Sequence, residues 1–237
     1  MKKIILSIFA LSGISTIMNA QNFQWANQTE STNTSQGLSV SSNGNDVYST
    51  GSYTGIIDLN TGTAVQRDTA NGNRDIYIQK VDQNGNFLWG KSIGGTGNDF
   101  GRKINDYGST VIISGTFSNT VDFDPGSGVE SKKSVGDYDV FVLALDNNGD
   151  FLWVQTFGGN DAETFGGQEK DNSNNIVITG GYESNMSVLI GSSMTTLSSI
   201  GGYSDVFVIK MALTTGAITW AKSTGGSSDD AGTAILI

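Results

Sequence analysis

The stretch "GDYDVFVLALDNNGDFLW", residues 136–153, contains two apolar runs and a turn signal between them. The first run, 139–145, has apolar residues on both alternating faces, which is typical of a strand covered on both sides. Asn148-Gly149 separates it from the second run, and an Asn-Gly pair supplies the positive φ angles of a tight hairpin turn. The stretch therefore predicts an antiparallel hairpin within a buried sheet.

Related phrases recur along the chain with a long period. The tryptophans lie 64, 64 and 67 residues apart: Trp25, Trp89, Trp153 and Trp220. An aspartate opens each strong apolar run, three residues after a glycine: Asp75, Asp139 and Asp205. A glycine lies inside each intervening apolar run: Gly51, Gly115 and Gly180. Such correlated positions identify a repeat architecture, and we expect these residues to have structural roles.

One repeat unit contains four short strands. Besides the opening hairpin, "TVIISGTF" (110–117) predicts a third strand and "GRKIN" (101–105) a short fourth one. Repeated four-stranded antiparallel units, buried on both faces, indicate an all-β fold, a β-propeller. We expect units at about 26–89, 90–153 and 154–220 with a partial unit at 221–237. About three full blades make an incomplete or open ring, so we expect the sequence to be truncated.

The first twenty residues have the pattern of a signal peptide. Lys2 and Lys3 precede an apolar stretch, and Ala20 offers a cleavage site before Gln21. No later segment is apolar enough to span a membrane. We therefore expect an exported protein, in the periplasm, on the cell surface or outside the cell, with a repeat domain over 21–237.

Composition excludes several classes of function. The formal net charge is −10, and loss of Lys2 and Lys3 makes it more negative, which disfavours nucleic-acid binding. The chain contains no cysteine and no histidine. Thiol nucleophiles, Ser-His-Asp triads and ordinary zinc sites are thereby excluded. We expect no enzyme activity and no cofactor, with Ca²⁺ as the one open possibility.

The phrases "FLWVQTFGG", "NNIVITGGY" and "TVDFDPGSG", together with the opening stretch, resemble the SBBP-type β-propeller repeat of exported bacterial proteins. The resemblance covers residues 23–237. It implies a propeller fold and an envelope or extracellular location. It implies no particular enzyme activity, because that family has no shared catalytic residues. Pro125 has no counterpart in the first and third units.

Two turns are candidates for calcium binding. Asp146, Asn148 and Asp150 place oxygen ligands at alternate positions, and Asp82 and Asn84 do so in the preceding unit. The third unit has Thr214 in place of the first ligand, and a hairpin turn explains all three copies. The phrase "SIGGTGNDFG" (92–101) is similar to a calcium-binding nonapeptide but has no tandem copy. We interpret it as a flexible link between units, with Asp99 on a loop.

Acidic residues that break the repeat are the remaining candidates. They are Asp122 and Asp124 in the second unit, and Asp99, Asp161, Glu163, Asp229 and Asp230 after the double glycines. A carboxylate pair would suit a glycosidase or lyase, whereas acidic loop residues are common solvated decoration. The sequence favours a non-catalytic binding or scaffolding module that contacts an unknown protein or glycan through its loops. A carboxylate-based hydrolase or lyase and a Ca²⁺-stabilised adhesion module are the alternatives.

Overall fold

The computed structural model describes residues 25, 26 and 28–237, so the expected signal peptide lies outside the described residues. The predicted all-β class is confirmed, since the described part of the chain contains strands and no helix. Its strands are β1 (Glu30–Ser31), β2 (Ser35–Ser42), β3 (Asp46–Tyr53), β4 (Ile56–Asp58), β5 (Arg67–Thr69), β6 (Asp75–Asp82), β7 (Phe87–Ile93), β8 (Phe100–Asp106), β9 (Val111–Phe117), β10 (Thr120–Asp122), β11 (Ser131–Lys133), β12 (Asp139–Leu145), β13 (Phe151–Gly159), β14 (Thr164–Lys170), β15 (Asn175–Tyr182), β16 (Asn185–Ile190), β17 (Ser193–Ser198), β18 (Asp205–Ala212) and β19 (Ile218–Thr224). Within this part there is consequently no helical segment that could cross a bilayer.

Three four-stranded antiparallel sheets follow one another along the chain. Sheet 1 has the order β2-β3-β6-β7 and sheet 3 the order β14-β15-β18-β19; sheet 2 is the part β8-β9-β12-β13 of a six-stranded sheet that continues from β13 into β16 and β17. The expected short strand near "GRKIN" is β8, which at seven residues is as long as its partner β9. We call the contact between sheets 1 and 2 the first junction and that between sheets 2 and 3 the second junction.

A small hairpin, which the sequence did not reveal, is inserted between the second and third strands of each sheet. The hairpins are β4–β5, β10–β11 and β16–β17. Each one reaches back along the chain: β16 pairs with Gly158 and Gly159 of β13, and Val121 of β10 bridges to Gly95. The inserted hairpins therefore fasten each sheet to the segment that precedes it.

The third strand of each sheet lies at the centre of the packing. All seven residues of β12 are buried, as the doubly apolar pattern predicts. One apolar cluster fills the first junction, where Phe123 of the inserted segment contacts Phe117 and Phe141 at ring-centroid distances of 5.2 and 5.0 Å. A second cluster fills the second junction. Burial between consecutive sheets is therefore the main source of stability.

The repeated glycines of the second strands sit opposite a bulge. A Cβ on Gly51, Gly115 or Gly180 would overlap a carbonyl oxygen of the first strand and an aromatic ring of the third strand. In sheet 2 these are the Phe100 oxygen and the Phe141 ring. The register shifts beside each of these glycines, between Gly101 and Lys103 in sheet 2. A close approach of three strands explains the glycines.

The hairpin turns differ from the two-residue form that Asn-Gly predicts. Gly149 has a φ of 82°, but Asn148 is not in the left-handed region. The N–H of Gly149 donates to the Asp146 oxygen, and the N–H of Asp146 donates to the Asp150 oxygen. The register of β12 and β13 also shifts beside the turn. The turn is thus one residue longer, with a bulge that requires positive φ at the glycine alone.

Candidate functional site

The candidate calcium ligands lie in hairpin turns, where the carboxylates bind the backbone of the loop. Asp146 Oδ1 accepts hydrogen bonds from the N–H groups of Asn148 (2.7 Å) and Asp150 (3.0 Å). Asp82 Oδ1 accepts them from Asn84 (2.8 Å) and from residue 86 (2.9 Å). These are side-chain-stabilised turns. Among the described residues, no group of three or more acidic side chains is gathered as a metal site would require.

The tryptophans connect consecutive units. The indole N–H of Trp89 donates to the Asn147 oxygen at 3.0 Å, and that of Trp153 donates to the Leu213 oxygen at 3.1 Å. Trp25 makes the corresponding bond to residue 83 of the first unit at 2.8 Å. In each case the acceptor lies in the last hairpin turn of the following sheet. Trp220 is half-buried on β19. These hydrogen bonds indicate that the tryptophans link consecutive units, and they do not indicate stacking on sugars.

The aspartates that open the third strands pack against the double glycines. A Cβ on Gly94 would overlap the carboxylate of Asp75, and one on Gly158 would overlap that of Asp139. Asp205 has the same relation to residue 225. Each aspartate also accepts a backbone N–H from the preceding loop, at residues 71, 135 and 200. Burial raises the pKa of Asp139 to about 6 and raises that of Asp75.

The segment after the double glycine is packed, so its interpretation as a flexible link with a solvated acid is wrong. Asp99 is 0% exposed and accepts the N–H of Gly95 at 2.9 Å. Glu163 is 1% exposed and accepts the N–H of Gly159 at 3.1 Å. The N–H of Ser118 also donates to Asp99, at 3.2 Å. In the third copy, Asp230 is half-buried.

Burial changes the protonation of both acids. It raises the pKa of Asp99 to about 7 and that of Glu163 to about 8. Nearby negative charges add to the effect, from Asp75 on Asp99 and from Asp139 on Glu163. Asp161 and residue 183 also raise the pKa of Glu163. At neutral pH, Glu163 is therefore largely a neutral carboxylic acid.

The acids of the second unit's inserted hairpin have partial counterparts in the first unit. Asp122 Oδ1 accepts the N–H groups of Asp124 and Glu130, and Asp58 Oδ1 accepts those of Asn60 and Gln66 in the first unit. Asp124 and Asn60 likewise accept the backbone N–H of the glycine two residues later. Residues 229 and 161 lie on loops, where Asp229 accepts the Ser204 N–H at 3.1 Å.

A cleft of about 460 Å³ opens at the second junction, and Glu163 forms part of its wall. Phe100 and Arg102 of β8 line one side, Tyr138 immediately precedes β12, and Phe165 comes from β14. The Arg102 guanidinium lies over the Phe100 ring, 4.7 Å from its centroid. The rings of Phe100, Tyr138 and Phe165 are half-buried, so part of each remains open to a ligand.

The first junction has different residues at the same positions. Phe100 and Gln36 occupy equivalent positions in the two units, because each pairs with the residue that follows the repeated glycine of the second strand. Arg102 and Leu38 are equivalent because each is the bulge residue of its first strand. Tyr138 precedes Asp139 as Arg74 precedes Asp75, and Phe165 aligns with Gly101. Sequence reasoning missed these cleft residues because they belong to no motif. Aligning the units position by position would have found them as departures from the repeat.

Comparison with known proteins adds no assignment. No protein-family model matches the chain, and no curated protein is a significant match. The arguments for function therefore rest on the geometry above.

Proposed function

We propose that the three sheets are consecutive blades of a β-propeller and that the protein is an exported, non-catalytic binding module. The repeat phrases that resemble SBBP-type units support the propeller and the location outside the cytoplasm. The regular strand order of the three sheets, their face-to-face apolar clusters and the tryptophan ties between units fit such a blade series.

One observation supports a binding role above all. The cleft at the second junction has open aromatic surface and an exposed arginine at positions where the first junction has Gln36, Leu38 and Arg74, beside a buried carboxyl group that both junctions share. Packing preserves repeat symmetry, whereas a ligand site usually departs from it. Aromatic walls with a few directed polar groups are typical of ligand sites.

The carboxylate enzyme is less well supported. Glu163 lines the cleft and Asp139 follows the cleft residue Tyr138, but Asp75 and Asp99 occupy the equivalent buried positions at the first junction. A pair that recurs at both junctions is better explained by packing than by catalysis. The calcium-stabilised module is also less well supported, since Asp82 and Asp146 bind the amides of their own turns.

A binding screen with repeat-restoring variants tests the proposal. The mature chain is applied to a panel of immobilised glycans and surface proteins, beside a double variant, Phe100→Gln with Tyr138→Ser. These replacements are the residues that other units carry at those positions, Gln36 and Ser204. We expect a ligand that the double variant no longer binds. Tyr203→Ser, which removes a tyrosine that is 48% exposed and outside the cleft, should leave binding unchanged. Equal binding by all three proteins, or none by the wild type, would contradict the proposal.

A further inference from the structure

The Arg102 guanidinium is an unpaired positive charge in the cleft. Arg102 is exposed and stacks on Phe100, and it forms no ion pair within the described residues. Stacking holds the guanidinium plane and leaves its N–H edge free. A planar guanidinium edge matches the two oxygens of a carboxylate.

Glu163 contributes a buried polar atom without a partner. Its Oε2 accepts the Gly159 N–H, but its Oε1 has no hydrogen-bond partner among the described residues, although Glu163 is only 1% exposed. A buried polar atom without a partner is costly, so a ligand that satisfies it gains affinity. Three carboxylates, those of Asp139, Asp161 and Glu183, act on this group and favour its neutral form. A neutral carboxylic acid can donate to a ligand oxygen.

The remaining walls are aromatic rings and threonine side chains. Tyr138 and Phe165 present aromatic surface, and Thr116 and Thr164 complete the lining. Aromatic rings that present both apolar surface and polar edges suit an amphipathic ring ligand. The volume of about 460 Å³ falls in the usual range for a small-ligand site.

We propose that the cleft binds a carboxylated sugar, a hexuronate unit of a glycan, with its carboxylate on Arg102, its ring against Tyr138 and Phe165, and an oxygen on Glu163. This inference rests on the proposed binding function and names its ligand. The net charge of −10 repels long polyanions, so a ligand with a single local charge fits better than a phosphate polymer.

Two sugars that differ in one group provide the test. Methyl β-D-glucuronide and methyl β-D-glucoside share a ring and differ only in the carboxylate. Isothermal titration, or the chemical shifts of the Arg side chains, gives both affinities. We expect the glucuronide to bind at least about tenfold more tightly at low salt, because a charge-assisted bond is worth that much. The preference should shrink as salt is added.

Variants assign the preference to its residues. Arg102→Leu introduces the leucine that the first junction carries at this position, Leu38. It should reduce the affinity for the glucuronide to the affinity for the glucoside. Arg67→Gln removes an exposed arginine of β5, outside the cleft, and should leave both affinities unchanged. Glu163→Gln keeps a donor and should preserve binding, whereas Glu163→Leu should weaken both sugars.

Each of the other possible outcomes contradicts one part of the proposal. Equal affinity for both sugars, or a preference that survives Arg102→Leu, would disprove carboxylate recognition at Arg102. Competition by acetate as effective as that of the glucuronide would disprove recognition of the sugar ring. If neither sugar binds while the panel shows a ligand lost in the Phe100 and Tyr138 double variant, the hexuronate inference fails and the binding function stands. If that panel also shows no such ligand, both fail.

Discussion

The first and second junctions use the same packing positions but different cleft positions. At both, an aspartate packs on the first glycine of a pair, and the second glycine donates to a buried acid four residues later. The open surface differs: the first junction has Gln36 and Leu38 where the second has Phe100 and Arg102. The difference separates the residues that hold the sheets together from those that are free to acquire a ligand.

The largest effect should come from the second glycine of the first two pairs. A Cβ on Gly95 would overlap the Thr120 oxygen, and one on Gly159 would overlap the Asn185 oxygen. Because backbone atoms have little freedom to move aside, we expect Gly95→Ala and Gly159→Ala each to lower the free energy of unfolding by about 3 kcal/mol or more. Urea titration gives this free energy.

Gly226 provides the matched control for these two substitutions. It is the second glycine of the third pair, but the nearest atom to an added Cβ is Asp230 Oδ2 at 3.8 Å. Gly226→Ala should therefore change stability by less than about 0.5 kcal/mol. A loss as large as that of Gly159→Ala would show that the cost is not steric.

The buried acids predict a smaller, pH-dependent effect. The folded-state pKa values of Asp99 and Glu163, about 7 and about 8, lie above unfolded values of about 4. The native state therefore binds more protons in that window, and the free energy of unfolding should fall as pH rises through it. The slope is up to about 1.4 kcal/mol per pH unit for each acid. Urea titrations from pH 5 to 8.5 measure it.

The titration should distinguish the contributions of the two junctions. Asp99→Asn should flatten the curve mainly below pH 7, and Glu163→Gln should flatten it up to about pH 8. The charged groups that act on Glu163 are Asp139, Asp161 and Glu183, all acidic. Stability that rises with pH between 6 and 8 would contradict the burial of these carboxyl groups in protonated form.

The main strands could be predicted from the sequence because their signal is local. The run 139–145 is apolar on both faces, and a strand buried between two sheets is what that pattern requires. The inserted hairpins of the first two units were missed because their strands have only three residues each. β10 has three residues, and its buried side chain Val121 matters only through packing on the preceding sheet. Contacts between units leave no periodic pattern within one strand.

The buried acids were misjudged for the same reason. Asp99 and Glu163 stand in polar, glycine-rich segments that look solvated. Only the fold brings a strand and a hairpin over them. One signal was available: an acid follows the second glycine by four residues in every copy, at 99, 163 and 230. The cleft had no such signal, because its residues are recognisable only as exceptions within the aligned repeat.

The tryptophan ties should differ in strength between the junctions. Trp153 is 8% exposed and its acceptor lies in the buried turn at Leu213, whereas Trp89 is half-buried beside the exposed Asn147. Removing the indole N–H by Trp153→Phe leaves a buried carbonyl without its partner. We expect a loss of about 1–2 kcal/mol there and less than 1 kcal/mol for Trp89→Phe, where water can replace the donor. Equal losses in urea titrations would refute this contrast.

The smallest effect on stability should come from the cleft itself, although its effect on binding is large. Arg102 is exposed, its guanidinium lies over the Phe100 ring, and the first junction carries Leu38 at the same bulge position. Arg102→Leu should therefore change the free energy of unfolding by no more than about 0.5 kcal/mol. The same protein should lose the glucuronide preference. A stability loss above 1 kcal/mol would mean that Arg102 supports the fold. Arg102 would then be a packing residue as well as a ligand residue, and the two sets of positions would not be distinct.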